Sequence, residues 1–246
     1  MPHIVFQPDL DALNKGDLIR IIGPEAHHAV RVKRLEVGDV LAIRNGRGLI
    51  ADAAISDILK TRQGEWTIDV RVQHAEMSDK PARPLHIFSA AAKGDRLEEI
   101  IDGLSQIGAT SWTPITSSRS IVEPRSGKLE RLTRVAEEAL KQSGRAWMLE
   151  IGAMTTFAEA LTHAQREQSL VLLADQSGDA CRTLATDIAR GSSSISLFIG
   201  PEGGWTEQEL ANARSAGVKI VNFGPHIMRI EVAAIAGAAV IMQSLQ

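Results

Sequence analysis

The sequence predicts a mixed α/β protein in two parts: a small β-barrel, then an α/β domain built on a largely parallel sheet. Up to about residue 74, short runs alternate between apolar and polar residues and are separated by glycine and asparagine turns. A polar stretch carrying Pro81 and Pro84 then breaks the pattern. Beyond it, apolar runs alternate with amphipathic ones, as strands and helices do around a parallel sheet.

In the first part, LIRII at 18–22, VLAIR at 40–44 and WTIDVRV at 66–72 read as strands, and His27 to Leu35 as one short helix. This assigns residues 1–74 to the barrel, 75–84 to a linker and 85–246 to the α/β domain. In the second part, strands are expected at 85–91, 111–116, 170–174, 195–199 and 218–222. The helix expected at 95–107 places Leu97, Ile100, Ile101 and Leu104 on one face and stops at Gly108. The next, about 127–142, uses Leu129, Leu132, Val135, Ala136, Ala139 and Leu140 in the same way. Thr156 with Glu159, and Thr206 with Glu209, form capping boxes that open two further helices. The last helix, 230–244, is so rich in alanine, isoleucine and valine that it must be buried in the core or in a subunit interface.

Hydrophobic residues make up 44% of the 246 and charged residues 23%, the balance of a folded globular protein. The longest mostly apolar stretch, Ile227 to Met242, contains Arg229 and Glu231 and falls short of a membrane span. The opening MPHIVFQPDL lacks the pattern of a secretory signal, so a cytoplasmic protein without a membrane partner is expected. Cys181 is the single cysteine, which excludes an internal disulfide and a cysteine-rich zinc site. His27 and His28 are adjacent and face different sides of a helix, so no metal is expected there. A net charge of -3 excludes a general polycationic coat but leaves room for local basic clusters.

Two segments carry the strongest chemical signal. Ile199-Gly200-Pro201-Glu202-Gly203-Gly204 follows a strand and precedes a capped helix, and its glycines let the backbone approach a ligand at the carboxyl end of the sheet. It matches neither the Walker pattern nor the dinucleotide fingerprint, and Glu202, Glu207 and Glu209 oppose an anion at that helix start. A neutral or cationic ligand fits better. Asn222-Phe223-Gly224-Pro225-His226-Ile227-Met228-Arg229-Ile230-Glu231 follows the last strand and should face the same pocket. Arg229 and Glu231 stand at the mouth of an apolar helix, where they pair with each other or serve a substrate. Lys93, Arg96, Arg119 and Arg145, with His27, His28, Arg31, Lys33 and Arg34, outline a broken phosphate track. No Gly-x-Ser-x-Gly elbow is present, which speaks against a serine hydrolase.

KGDRLEEII at 93–101, SSRS at 117–120, EEALKQSGR at 137–145, IGPEGGWTEQEL at 199–210 and FGPHIMRIEVAAIAG at 223–237 resemble the 16S ribosomal RNA uracil-N3 methyltransferase family of the SPOUT superfamily. HHAVRVKRLEVGD at 27–39 is similar to that family's His-x-x-x-Val-x-Arg segment. The resemblance implies a PUA-like barrel before a SPOUT α/β domain tied in a trefoil knot. It also implies a homodimer, S-adenosyl-L-methionine as cofactor and 16S ribosomal RNA of the small subunit as substrate. Carried over by position, Leu173, Ala174, Ile199, Gly200, Pro201, Glu202, Gly203 and Gly204 would hold the cofactor, together with Phe223, Gly224, Ile227, Met228, Arg229 and Ala233. Arg229, Glu231 and Arg119 would act at the reacting centre. His28, Arg31, Arg34, Lys93, Arg96, Gln142, Ser143 and Arg145 would contact RNA.

The chain departs from the family at two places. His3-Ile4-Val5-Phe6 stands where the family has an arginine before paired aromatics, and Val232 stands where it has a threonine. Two other readings compete: a SPOUT enzyme that methylates a different nucleotide, and an RNA-binding or ribosome assembly factor without catalysis.

Overall fold

A computed structural model describes residues 2–122, 126–181 and 193–245. The chain divides into two compact units: residues up to Lys80 with Leu140–Met148, and Pro81–Ala139 with Leu149 onward. The short segment 140–148 thus belongs to the first unit although it lies between residues of the second. Among the described residues no helix is long and apolar enough to cross a membrane.

The first unit is a five-stranded sheet in the order β1-β3-β4-β5-β2. Its strands are β1 (His3–Phe6), β2 (Leu18–Ile22), β3 (Val40–Arg44), β4 (Leu49–Lys60) and β5 (Trp66–Met77). β1 runs parallel to β3 and the remaining pairs are antiparallel. Inward residues of all five strands, including Val5, Ile21, Ile43, Ile55 and Val70, share one core with Ala26 and Ala29. The β4–β5 hairpin is long and shifts register twice, at Asp52/Ala53 and Ile55/Asp57, as bulges do when they bend a strand pair around a core. β5 continues to Met77, into the segment expected as linker.

The helix expected at 27–35 begins earlier and is broken. α1 (Gly23–His27) carries Pro24 in its first turn, where its fixed φ suits a helix start, and passes at His28 into a π-helical turn, His28–Val32. Arg34 then takes a left-handed φ of 56°. The π-turn stacks the His28 ring on that of His3, with centroids 5.3 Å apart.

The second unit carries the parallel sheet, in the order β12-β10-β11-β6-β7-β8, with β9 (Thr155–Thr156) beside β7. Its strands are β6 (Leu85–Ala90), β7 (Ser111–Thr116), β8 (Glu150–Ile151), β10 (Leu170–Ala180), β11 (Ile195–Ile199) and β12 (Lys219–Asn222). The helices are α2 (Arg96–Ile107), α3 (Ser126–Ser143), α4 (Phe157–Arg166), α5 (Glu207–Ser215) and α6 (Ile230–Gln243). Both capping boxes are formed, Thr156 with Glu159 and Thr206 with Glu209. α2 buries the expected face of Leu97, Ile100, Ile101 and Leu104. α6 packs on α2, β6 and β11, and Gly237 lets it close on Leu197, where a Cβ would stand 2.8 Å from the leucine Cδ2. β10 extends past the expected end at 174: after a register shift its chain rejoins β12 at Asp179 and Ala180, so residues 175–178 bow out of the ladder.

The His3 imidazole is lowered from the ordinary 6.5 to about 4, chiefly by burial and then by the electrostatic influence of His28, Lys33 and Lys141. A depressed histidine leaves the unfolded chain binding more protons, so stability is full above about pH 6.5 and falls as pH drops through about 4. With solvent screening at this half-buried site, the loss should be on the order of 1–2 kcal/mol. Urea unfolding of the wild type and His3→Gln at neutral and acidic pH tests this: the wild type should lose more stability on acidification than the variant, and equal losses would refute it.

Candidate functional site

Three loops leave the carboxyl ends of adjacent strands β12, β10 and β11, and side-chain hydrogen bonds lock each to the next. In the 175–178 bow, the Asp175 carboxylate accepts from the Ser177 N–H at 2.9 Å and its hydroxyl at 2.7 Å, closing a turn. Asn222 joins this bow to the loop after β12: its amide donates to the Gln176 carbonyl at 3.1 Å and its oxygen accepts from the Gly224 N–H at 2.8 Å. The Trp205 indole donates to the Ala174 carbonyl at 3.1 Å and so ties in the loop after β11. That loop turns at 201–204, where the Gly204 N–H reaches the Pro201 carbonyl at 2.8 Å and Gly204 adopts φ 68°.

A fourth segment, Ser117–Ser120 after β7, clamps the loop from outside. Arg119 Nη1 donates to the carbonyls of Gly203 at 2.8 Å and Trp205 at 3.2 Å. The Ser118 N–H donates to Glu209 Oε1 at 2.9 Å, while Glu209 Oε2 accepts from the Thr206 N–H at 2.8 Å and hydroxyl at 2.9 Å. Burial by itself pushes the Glu209 carboxyl up, but the hydrogen bonds from Ser118 and Thr206 outweigh it and hold the group below its ordinary value.

Together these segments enclose a cavity of about 480 Å³. Of the residues the sequence assigns to cofactor binding, Ala174, Ile199, Gly200, Pro201, Glu202, Gly203 and Gly204 line it from one side, and Phe223, Gly224, Ile227, Met228 and Ala233 from the other. Arg119 lines it as well. Leu173 does not: it is fully buried in the core beneath. Arg229 is the exposed N-cap of α6, and among the described residues its guanidinium has no hydrogen bond or ion pair. Asn222, in the segment the sequence places at the pocket, lines it too, and so do Asp175, Gln176, Ser177 and Trp205, which the sequence does not assign to it. The Asp-Gln-Ser-Gly turn signal at 175–178 was the available clue. Gly200 is the tightest point, since a Cβ there would lie 2.9 Å from the buried Trp205 ring. At Gly203 a Cβ would meet Arg119 only at ordinary contact distance.

Beside this cavity, Arg96 Nη1 stands 3.9 Å from both Glu202 Oε1 and Glu231 Oε1. Glu231 is buried, and its Oε2 has no hydrogen-bond partner among the described residues. One guanidinium shared by two carboxylates leaves a net negative charge where the loop after β11 and the first turn of α6 face Arg96 of α2. Lys93 is exposed just before α2. The other residues assigned to RNA belong to the first unit. His28, Arg31, Arg34 and Gln142 are exposed there. Ser143 and Arg145 are half-buried, and burial lowers the pKa of the Arg145 guanidinium.

A parallel sheet with a glycine-lined cavity at its strand ends, in a chain that also carries a small β domain, defines the class: an α/β domain built to hold a small ligand, joined to an accessory module. Residues 78–242 match the family described as RNA methyltransferase domain, and residues 21–62 match RNA methyltransferase PUA domain. The chain belongs to this RNA methyltransferase family. It is similar to ribosomal RNA small subunit methyltransferase E of Synechocystis, 30% identical over 83% of this chain and 66% of the relative, so it spans about two thirds of that protein. It is also similar to ribosomal RNA small subunit methyltransferase E of Bacillus subtilis, 29% identical over 90% of this chain and 88% of the relative. The structure resembles a ribosomal RNA small subunit methyltransferase E from Neisseria gonorrhoeae bound to S-adenosyl methionine, with a TM-score of 0.82, 25% identity, and coverage of 100% of this chain and 98% of that one.

The Glu209 clamp yields a stability prediction. Glu209→Ala removes the carboxylate half of the α5 capping box, leaving the Thr206 hydroxyl as N-cap, and strands the Ser118 N–H; it should cost about 1–3 kcal/mol by thermal or urea unfolding. Exposed Glu207→Ala should stay within about 0.5 kcal/mol of wild type. Equal effects of the two would show that Glu209 anchors nothing.

Proposed function

We propose that this chain is an S-adenosylmethionine-dependent methyltransferase that methylates N3 of a uridine in 16S ribosomal RNA, acting in the cytoplasm as a homodimer. The observation that carries the reading is the cavity at the ends of β10, β11 and β12, in a chain whose residues 78–242 match an RNA methyltransferase family. The residues present suit this cofactor. Glu202 and Asp175 favour its cationic sulfonium, backbone groups freed by Gly200, Gly203, Gly204 and Gly224 can read an adenine edge, and the guanidinium of Arg119 is already engaged with carbonyls. When bound, S-adenosylmethionine supplies an electrophilic methyl group on a sulfonium leaving group.

The chain's own residues must deal with the uridine. Its N3 is an imide nitrogen that has to lose a proton, after which negative charge spreads onto O2 and O4. Arg229, exposed at the cavity mouth and without a partner among the described residues, is the cation we assign to that charge. Arg119 shapes the cavity through the Gly203 and Trp205 carbonyls. Glu231, with an unsatisfied oxygen, takes the proton or orients the group that does. His28, Arg31, Arg34, Lys93, Gln142, Ser143 and Arg145 are assigned to the RNA backbone, where cationic contacts give salt-dependent affinity. Arg96 is assigned to both roles, since it faces Glu202 and Glu231.

Support for a dimer comes from α6. Its inner face is buried, while Val232, 49% exposed, and Ala236 and Ala239 follow one another at helical spacing on the other side. An apolar helix face left open in this way is covered most economically by a second copy of itself.

Incubated with S-adenosylmethionine and small-subunit particles or 16S RNA, the protein should produce 3-methyluridine by nucleoside mass spectrometry; a methyl mark on another base or on ribose would move the target, and no mark with no cofactor binding would leave an RNA-binding factor. In the same assay Arg229→Ala should lower kcat about 10²–10³-fold with cofactor affinity kept, whereas Gly200→Val should abolish cofactor binding by calorimetry. For the dimer, Ala239→Glu should convert the protein to a monomer in sedimentation velocity, and a variant still dimeric would place the interface elsewhere.

A further inference from the structure

A second cavity, of about 510 Å³, opens in the α/β unit between α4 and the amino-terminal half of the parallel strands, away from the strand ends that carry the first. Its size falls in the range of small-molecule sites. A sheet face under a helix is ordinarily aliphatic, yet here one lateral row reads Ser196, His86, Ser111 across β11, β6 and β7. α4 faces this row with Ala160 and Ala164, too small to fill the gap, and rims it with Glu159, His163 and Glu167. The space is therefore polar on the sheet side, apolar at Phe88 and the two alanines, and acidic at the rim.

The lining contains two glutamates and neither lysine nor arginine. Glu159 Oε2 accepts from Thr155 and Thr156, and among the described residues no hydrogen bond engages its other oxygen. His86 shares a 2.8 Å hydrogen bond with the Ser111 hydroxyl, and burial lowers its pKa although Glu150 and Glu167 oppose the shift, so it adds no positive charge at neutral pH. Net negative charge and abundant acceptors select a ligand that is cationic and rich in N–H donors. Among the described residues no group of three His, Cys, Asp or Glu side chains is placed to hold a metal ion, which turns the choice to an organic cation. We infer that this cavity binds a small aliphatic ammonium ion of the diamine or polyamine class, its amines at Glu159 and Glu167 and its methylenes against Phe88, Ala160 and Ala164. The inference does not rest on the methyl-transfer reading.

Spermidine and putrescine, titrated into the full-length protein at neutral pH by calorimetry and amide NMR, provide the test. Saturable binding is expected, with shifts concentrated at residues 159–167 and at the starts of β6, β7 and β11. Glu167→Gln, an exposed substitution that leaves folding intact, should weaken binding about tenfold through the loss of one charge-assisted contact. Ala164→Leu should fill the cavity and remove binding, and Glu36→Gln, exposed in the other unit, should change nothing. No saturable binding up to about 10 mM amine would overturn the inference. So would binding that Glu167→Gln leaves unchanged, or shifts scattered over acidic surface.

Discussion

A cavity at the carboxyl edge of a parallel sheet has to be walled by loops, and loops keep a shape only when something holds them. In this chain the holding is done at one buried carboxylate. Glu209 closes the capping box of α5 with one oxygen and receives the Ser118 N–H with the other, so the helix after β11 and the loop after β7 share a single anchor. Next to Ser118, Arg119 donates to the Gly203 and Trp205 carbonyls, a second tie between the same two segments. Trp205 in turn bonds Ala174, and Asn222 bonds Gln176, so the order passes from loop to loop. The walls are rigid while the space between them stays open, which is the condition for a preorganised site.

Electrostatics follow the same division of labour. Cations near the cavity are already engaged: Arg119 with carbonyls, Arg96 with Glu202 and Glu231 at 3.9 Å each. The separation is longer than a hydrogen bond, so Arg96 balances the two carboxylates without satisfying either. The cavity is thus left acidic, as a sulfonium requires, while the guanidinium of Arg229, exposed and unengaged among the described residues, does not line it.

The sheet order was less legible in the sequence than the elements that build it. Apolar periodicity located α2 and the five long strands of the α/β unit, because each buries a face whose spacing repeats. Threonine and glutamate three apart marked α4 and α5, since the capping box is a local device. β4 was not read as a strand: its alanines in LIADAAISDILK lack the β-branched signal, and only pairing with β3 and β5 makes it one. The π-turn at His28 escaped for the same reason, because a short apolar pattern does not distinguish one helix from a broken one. At the site, the glycine loops were visible as composition. The clamp from Ser118 to Glu209 spans 91 positions and has no local signature.

Val232 stands where the resemblance implies a threonine, and the loss of that hydroxyl is what makes a reading without catalysis conceivable. Ile230 and Ala233, on either side of it, line the cavity, and Val232 does not. It lies half exposed on the outer face of α6 with Ala236 and Ala239. A threonine there would bring a hydroxyl needing a partner to any surface that covers the helix, while a valine brings only apolar area. The substitution therefore alters the demand on the covering surface rather than on the cofactor loops, and the proposed dimer is where its effect would be felt.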